Sequence, residues 1–212
     1  MIAVVDYGLG NLASVRNAFR CIDTEVEVTR DAATIARADG IVIPGVGAAS
    51  AGMERLHGYG LDTVILEAAH SGKPLLGLCL GMQLLFDRSE EGDTACLGLL
   101  AGTVHRLQHA EKIPHIGWNK VEGDQGPMWE GLSPNPYCYF VHSYICQPDD
   151  PRVASGYTSY GDCFCSAVCH GSLWGTQFHP ERSGRVGLQI IRNFSRICTL
   201  DRKFLSGAPS SQ

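Results

Sequence analysis

The residues of this chain best suited to chemistry lie in two short stretches far apart in the sequence. The first, Pro74 to Phe86, reads PLLGLCLGMQLLF. Its apolar run predicts a buried strand, Gly77-Leu78-Cys79-Leu80-Gly81 a sharp turn, and the residues after it a helix. That is the layout of a nucleophile elbow with sulfur in place of the serine oxygen. Glycines on both sides of the cysteine let strand and helix approach closely around a strained apex. A cysteine opening a helix also sits in the positive field of unpaired backbone N–H groups, which favours thiolate over thiol. Cys79 is therefore the candidate nucleophile.

The second stretch, Gln177-Phe178-His179-Pro180-Glu181, follows the strand-like run from Ser172 to Thr176. If the chain stays extended, positions i and i+2 face the same side. Glu181 can then hold one ring nitrogen of His179 while the other points at the thiol. The carboxylate would fix the tautomer and support the imidazolium. Members of a triad assemble in space rather than along the chain, so the separation is no obstacle. Taken singly, Cys79 reads as a small buried hydrophobe and His179 as a loop histidine satisfied by a carbonyl. The elbow glycines and the His-Pro-Glu partner occur together, and that combination favours catalysis. A third piece, Pro44-Gly45-Val46-Gly47, follows the third predicted strand, where an elbow enzyme needs backbone N–H groups facing a developing oxyanion. Val46 and Leu80 are the expected donors. The bland alternative for the loop is an ordinary turn.

Around these pieces the first half alternates strand and helix, which predicts a mostly parallel sheet covered on both faces. A strand from Ile2 to Val5 leads into a helix with Leu12, Val15, Phe19 and Ile22 on one stripe. Val26 to Val28 is a short strand, and Asp31 is placed to cap a helix from Ala32 to Ala36. Ile41 to Ile43 is a buried strand, and a helix from Leu61 to Ala69 is closed by Gly72 and Pro74. Beyond Gly98 the runs shorten. Tyr137 to Tyr144 and Val153 to Tyr157 predict an antiparallel extension or hairpins joined to the same sheet. A last helix carries Ile190, Ile191, Phe194 and Ile197 on its core side. The expected organisation is one domain over residues 1–200 and a disordered tail over 201–212.

Length and charge narrow the function classes. The chain has 212 residues, of which 18% are charged, and a formal net charge of −5. One domain of that size holds a full core. The acidic balance and the lack of a Lys/Arg cluster argue against nucleic-acid binding. No secretory signal pattern and no membrane-length apolar run is visible. Nine cysteines without an export signal read as reduced thiols, which predicts a cytoplasmic protein. Cys163, Cys165, Cys169 and His170 lack the spacing of a structural zinc site, and Phe164 to Val168 alternates like a half-buried strand, so no metal is expected there. Gly8-Leu9-Gly10-Asn11-Leu12-Ala13 fits a loose dinucleotide pattern, with Asp31 near the distance expected of a ribose ligand. Against cofactor binding, Asn11 reads as an N-cap and the second half lacks a second βαβ unit. A tight strand-to-helix turn accounts for the glycines, and no cofactor is expected.

Taken in order, Asp6 to Asn11, the Pro-Gly-Val-Gly loop, Gly77 to Phe86, Pro114 to Asn119 (PHIGWN), Tyr139 to Tyr144 (YFVHSY) and Gln177 to Glu181 closely resemble the class I, triad-type glutamine amidotransferases. Within them the chain is similar to the glutaminase subunits of imidazole glycerol phosphate synthases. The resemblance implies a flavodoxin-like α/β fold with a mostly parallel sheet flanked by helices. It implies that Cys79 attacks the side-chain amide of glutamine, that His179 moves protons, and that Glu181 orients His179. Gln83, Glu91, Ser143 and Tyr144 match positions that hold the amino-acid portion of glutamine, and Gly47 lies beside it. The ammonia would pass to a (βα)8-barrel cyclase subunit in a one-to-one heterodimer serving histidine biosynthesis. Asn11, Trp118, Asn119 and Tyr139 match positions at that interface, against a bland reading as turn, cap and core. Arg182 stands where the family commonly has lysine, and the two side chains differ in geometry. The flexible Gly45-Val46-Gly47 segment further suggests a gate, with the oxyanion donor misaligned until the partner binds its own substrate. Two rival readings keep the same residues: the glutaminase of another amidotransferase, and a non-catalytic nucleotide-binding module.

Overall fold

Apolar residues occupy both faces of the strands in the first half, and two hydrophobic layers result. The computed structural model describes residues 1–124 and 126–205. Strand and helix alternate through β1 (Ile2–Val5), α1 (Leu12–Arg20), β2 (Val26–Thr29), α2 (Ala32–Arg37), β3 (Gly40–Ile43), α3 (Ala49–Gly58), α4 (Leu61–His70), β4 (Leu75–Leu78) and the single-turn α5 (Leu80–Gln83). Short strands follow: β5 (Phe86–Ser89), β6 (Thr94–Ala95), β7 (Leu100–Arg106), β8 (His115–Lys120), β9 (Glu122–Gly123), β10 (Tyr137–His142) and β11 (Tyr144–Pro148). Then come β12 (Ala154–Tyr160), β13 (Asp162–His170), β14 (Leu173–Thr176) and the closing helix α6 (Gly184–Leu205). The alternation of side chains along a strand sends Ala3, Val5, Ile41, Ile43 and Leu75 to a layer shared with α2, α3 and α4. Ile2, Val4, Val42, Leu76 and Leu78 go to the opposite layer, shared with α1 and α6.

The main sheet runs β2-β1-β3-β4-β14-β13-β11-β7-β5-β6, with β12 and β9 branching from β13. Its first five strands are parallel. From β13 onward, antiparallel pairing dominates, with the β5–β7 pair parallel. The decisive pairing is β14 against β4, parallel, with Thr176 opposite Leu78 and Gly175 opposite Gly77. A strand from the last third of the chain is thereby set beside the strand that carries the elbow.

Several expectations change in detail. The Tyr137-to-Tyr144 run is not one strand: it breaks at Ser143, and β10 pairs with β8 in a separate two-stranded sheet while β11 joins the main one. β10 alternates, with Cys138, Phe140 and His142 buried and Tyr137 exposed. Its inner side chains pack on the layer of α1 and α6. Phe164 to Val168 is buried throughout rather than alternately, because that stretch of β13 lies at the middle of the main sheet with packing on both faces. The last helix extends to Leu205, past the expected boundary at residue 200, and residues 206–212 of the expected tail lie outside the described residues. Helix α3 and strands β5 to β7 were not legible in the sequence.

The layer under α6 is held by large rings: Phe194 is fully buried and its ring lies 5.9 Å from that of Trp174 on β14. Phe194→Ala removes this contact from a fully buried site, and the expected cost is about 3–5 kcal/mol. A urea-unfolding midpoint compared with that of the parent chain measures it.

Candidate active site

Elbow strain is visible in the backbone. Cys79 has φ 52° and ψ −106°, a left-handed conformation that L residues rarely adopt, and such strain persists only where the surroundings enforce it. Here the enforcement is steric and hydrogen-bonded. A Cβ on Gly77 would sit 2.5 Å from the Gly81 carbonyl oxygen, and one on Gly81 would sit 1.9 Å from that of Ile43. The Cys79 N–H donates to the Thr176 carbonyl at 2.7 Å, continuing the β4–β14 ladder by one residue. Because α5 is a single turn of four residues, its dipole is small. The expected helix-field support for the thiolate is therefore weaker than the sequence suggested.

The compensating charge comes from His179. Its Nδ1 is 2.8 Å from Glu181 Oε1, and both side chains are almost fully buried. The expected pairing is present, but the expected local conformation is not. His179 is extended, whereas Pro180–Arg182 forms a 3-10 turn that swings Glu181 back beneath the ring. Proline at the first position of the turn costs no hydrogen bond there. The other ring nitrogen, Nε2, is buried without a hydrogen-bond partner. Burial disfavours the imidazolium, but the neighbouring Cys79 sulfur and Glu181 carboxylate more than offset this and push His179 up to about 10. No Cys79–His179 hydrogen bond is closed, yet the two groups are electrostatically coupled. The set therefore brings a thiol, an imidazole and a carboxylate together, the groups from which an activated cysteine nucleophile can be built.

The remaining expected residues converge as well. Cys79, Val46, Gly47, Leu80, Gln83, Glu91, Ser143 and Tyr144 line one cleft of about 450 Å³, together with Ala48, Pro114, Val141 and His142. Val46 is 42% exposed on the loop between β3 and α3. The loop is anchored by Tyr7, whose hydroxyl donates to the Pro44 carbonyl at 2.6 Å. Leu80 is the first residue of α5, so its N–H has no intrahelical acceptor. Glu91 accepts from the Ala49 N–H at 2.8 Å. It thus caps α3, whose own N-cap residue, Ala48, has no side chain to do so. Gln83 Nε2 donates to the Tyr144 carbonyl and to Gln177 Oε1, both at 3.1 Å.

Two polar residues at or beside the cleft, Gln177 and His142, were missed by sequence reasoning. Gln177 is fully buried, and its Nε2 lies 3.6 Å from Cys79 Sγ as a donor. Its position two residues before His179 was the available signal. His142, buried beside the cleft, is the other, and its motif carried no hint of a partner.

The expected interface residues divide. Trp118 is 56% exposed on β8 and meets Tyr139 edge-on, ring centroids 6.1 Å apart. The Arg182 guanidinium lies 4.4 Å from the centre of the Tyr139 ring. Exposed Ile116 and Tyr137 extend this apolar face. Asn119 points inward, donating to the Ser159 carbonyl and to His115. Asn11 caps α1 by accepting from the Ser14 N–H, and α1 packs against the Pro180–Arg182 turn. The dinucleotide reading finds no support. Asp31 is committed to capping α2 through Thr34, and the Gly8 carbonyl accepts from Arg55. Cys165 is buried and Cys163 exposed on β13, and among the described residues no three metal-ligating side chains converge.

Strained cysteine, buried His–Glu pair and glycine-containing loop thus meet at one end of a parallel sheet covered by helices. The chain belongs to the class-I glutamine amidotransferase family, whose profile matches residues 3–198. It is 46% identical over 199 residues to the imidazole glycerol phosphate synthase subunit HisH of Bacillus cereus, spanning 93% of this chain and 95% of that one. The same-named protein of Symbiobacterium thermophilum is 47% identical over 202 residues, covering 94% and 95%. That of Dehalococcoides mccartyi is 45% identical over 205 residues, covering 96% and 100%. Among solved structures, a glutamine amidotransferase superposes with TM-score 0.75 at 19% identity over 93% of this chain and 98% of that one. A chain of the PurLQS structure from Thermotoga maritima gives 0.70 at 19%, covering 92% and 97%. These structures establish the shared fold.

The site histidines set a pH profile for stability. Burial holds native His115 and His142 down to about 4 and about 3 from an ordinary value of 6.5, with nearby histidines adding to the effect at His142. As pH falls below 6.5, the unfolded chain takes up protons that the native state refuses, and stability drops. Urea midpoints should therefore fall as the pH is lowered from the ordinary histidine pKa of about 6.5 toward 5.

Proposed function

We propose that this chain is the glutaminase subunit of an imidazole glycerol phosphate synthase. It hydrolyses glutamine to glutamate and hands the ammonia to a (βα)8-barrel cyclase subunit in histidine biosynthesis. The observation that carries the reading is the strained Cys79 at the wall of the cleft, next to the buried His179–Glu181 pair. Near-full-length identity to proteins of that name supports the pathway.

The residues assign the steps. The Cys79 thiolate attacks the side-chain carbonyl carbon of glutamine, and the charge that develops on oxygen is met by the Val46 and Leu80 N–H groups. The His179 imidazolium gives its proton to the departing nitrogen, and ammonia leaves a γ-glutamyl thioester. His179, now neutral, takes a proton from water as it attacks the thioester, and glutamate leaves Cys79 as thiolate. Glu181 keeps Nδ1 protonated throughout, so Nε2 alone exchanges the proton. Glu91, Gln83, Ser143 and Tyr144 hold the amino-acid portion of glutamine, with Gly47 beside it. A carboxylate has two oxygens, so capping α3 leaves Glu91 capacity for the substrate ammonium.

The apolar face of Ile116, Trp118, Tyr137, Tyr139 and Arg182 is the surface we assign to the cyclase, with Asn11 and Asn119 at its margins. Exposed aromatics and arginine are the residue types that anchor interfaces. Its strand β10 also touches the triad: the His179 N–H donates to the Tyr139 carbonyl at 2.9 Å. The Gly45-Val46-Gly47 loop is the proposed gate, its oxyanion donor aligned when the partner binds its own substrate. Cys21, Cys79, Cys96, Cys138, Cys146, Cys163, Cys165 and Cys169 are free thiols, which supports a reducing cytoplasm. No helix among the described residues is long and apolar enough to cross a membrane.

Cys79→Ala should abolish ammonia release from glutamine while the partner still uses externally supplied ammonia; loss of both would argue against this division of labour. Glu181→Gln should lower glutaminase turnover by roughly 10²–10⁴-fold, the range of general acid–base contributions. For the gate, ammonia release is measured with and without partner and partner substrate. A rate that rises only with both is expected, and equal rates would defeat the gate.

A further inference from the structure

Two buried histidines have no part in the mechanism above. His115 on β8 and His142 on β10 are 2% and 6% exposed, face each other across the two-stranded sheet, and join ring to ring, Nδ1 of His115 to Nε2 of His142 at 3.0 Å. Their protons can be assigned from the partners. His142 Nδ1 lies 2.9 Å from the Tyr144 carbonyl oxygen. An oxygen of that kind only accepts, so Nδ1 carries hydrogen. A neutral His142 then has Nε2 bare, and His115 Nδ1 must be the donor to it. That leaves His115 Nε2 bare, and Asn119 Nδ2 stands 3.3 Å from it as donor. Burial holds both imidazoles neutral at physiological pH. Stacking against Tyr160 and Phe140, centroids 3.9 and 4.8 Å away, keeps the His115 ring from turning over.

The last acceptor is also the hinge of the cleft. Between β10 and β11 the chain leaves the small sheet for the main one, and the crossing residues Ser143 and Tyr144 line the cleft. His142 closes this crossing by bonding two residues ahead. The same Tyr144 carbonyl receives Gln83 Nε2, which also donates to Gln177, and Gln177 donates to Cys79 Sγ. We propose that His115 and His142 are positioning residues for glutamine, both locked as Nδ1–H tautomers in a one-way chain of hydrogen bonds. The chain runs Asn119 → His115 → His142 → Tyr144 carbonyl and meets Gln83 at the wall of the cleft. It starts on β8, the strand assigned to the partner face, and so ties that face to the substrate pocket. The proposal rests on the glutaminase reading above.

Two measurements test it. Ring ¹⁵N–¹H correlation spectra of the wild-type chain at pH 7 are expected to show His115 and His142 with hydrogen on Nδ1 alone. Hydrogen on Nε2 of either would overturn the chain, and this needs no variant to fold. In the complex with its partner, His142→Leu should raise the glutamine KM by about tenfold, the scale of one lost buried hydrogen bond. kcat should stay within about threefold. His142→Asn keeps a donor at the Nδ1 position and should recover most of the KM, which a merely structural role would not predict. An unchanged KM in folded His142→Leu, or no rescue by asparagine, overturns the proposal while glutaminase activity stands. Absence of ammonia release from the wild-type complex would overturn the function and this proposal together.

Discussion

Parallel pairing of β14 with β4 is the constraint from which the site follows. The two strands end at Thr176 and Leu78, side by side, and the ladder runs one step further through the Cys79 N–H and Thr176 carbonyl. The chain leaving β14 turns back over that end and delivers Gln177 and His179 to the thiol. Nothing local to either stretch brings them together, because a residue of the last third of the chain must be inserted next to the fourth strand. The open parallel sheet supplies such a place at the carboxyl ends of its strands, where α/β proteins characteristically bind ligands.

That placement has a cost, and its compensation is spread through the neighbourhood. A non-glycine residue in the Cys79 conformation costs on the order of 1–3 kcal/mol. Burying the imidazole, carboxylate and thiol together is unfavourable unless their charges and hydrogen bonds balance. Here Glu181 meets His179, Gln177 meets Cys79, and Gln83 meets Gln177. The backbone of His179 is itself held by Tyr139 and Ser183. The strain at the elbow is thus maintained by the hydrogen bonds and close packing around it.

The two-stranded sheet of β8 and β10 gives the molecule its asymmetry. Its inner side joins the core through Cys138 and Phe140, its outer side exposes Ile116, Trp118 and Tyr137, and its backbone bonds directly to that of His179. A surface displacement there has a short covalent and hydrogen-bonded path to both His179 and the cleft wall. The Tyr139 carbonyl is its most direct link.

By itself the sequence determined the elements whose signals are local. The buried strands β1, β3 and β4, the capping of α1 by Asn11 and α2 by Asp31, the elbow around Cys79 and the identities of His179 and Glu181 were all legible. Each follows from short-range sterics, capping or period-two burial. The resemblance to amidotransferases added the cleft residues that spacing alone could not gather. Only the tertiary structure decided the remainder. The break at Ser143 depends on which sheet each half of the run pairs with, and the uniform burial of β13 on its position within the main sheet. Glu181 reaches His179 by a 3-10 turn rather than an extended step. The roles of Gln177 and of the His115–His142 pair arise from contacts between residues 98 and 27 positions apart. Those contacts are long-range, and a one-dimensional pattern holds no record of which distant donor will face which acceptor.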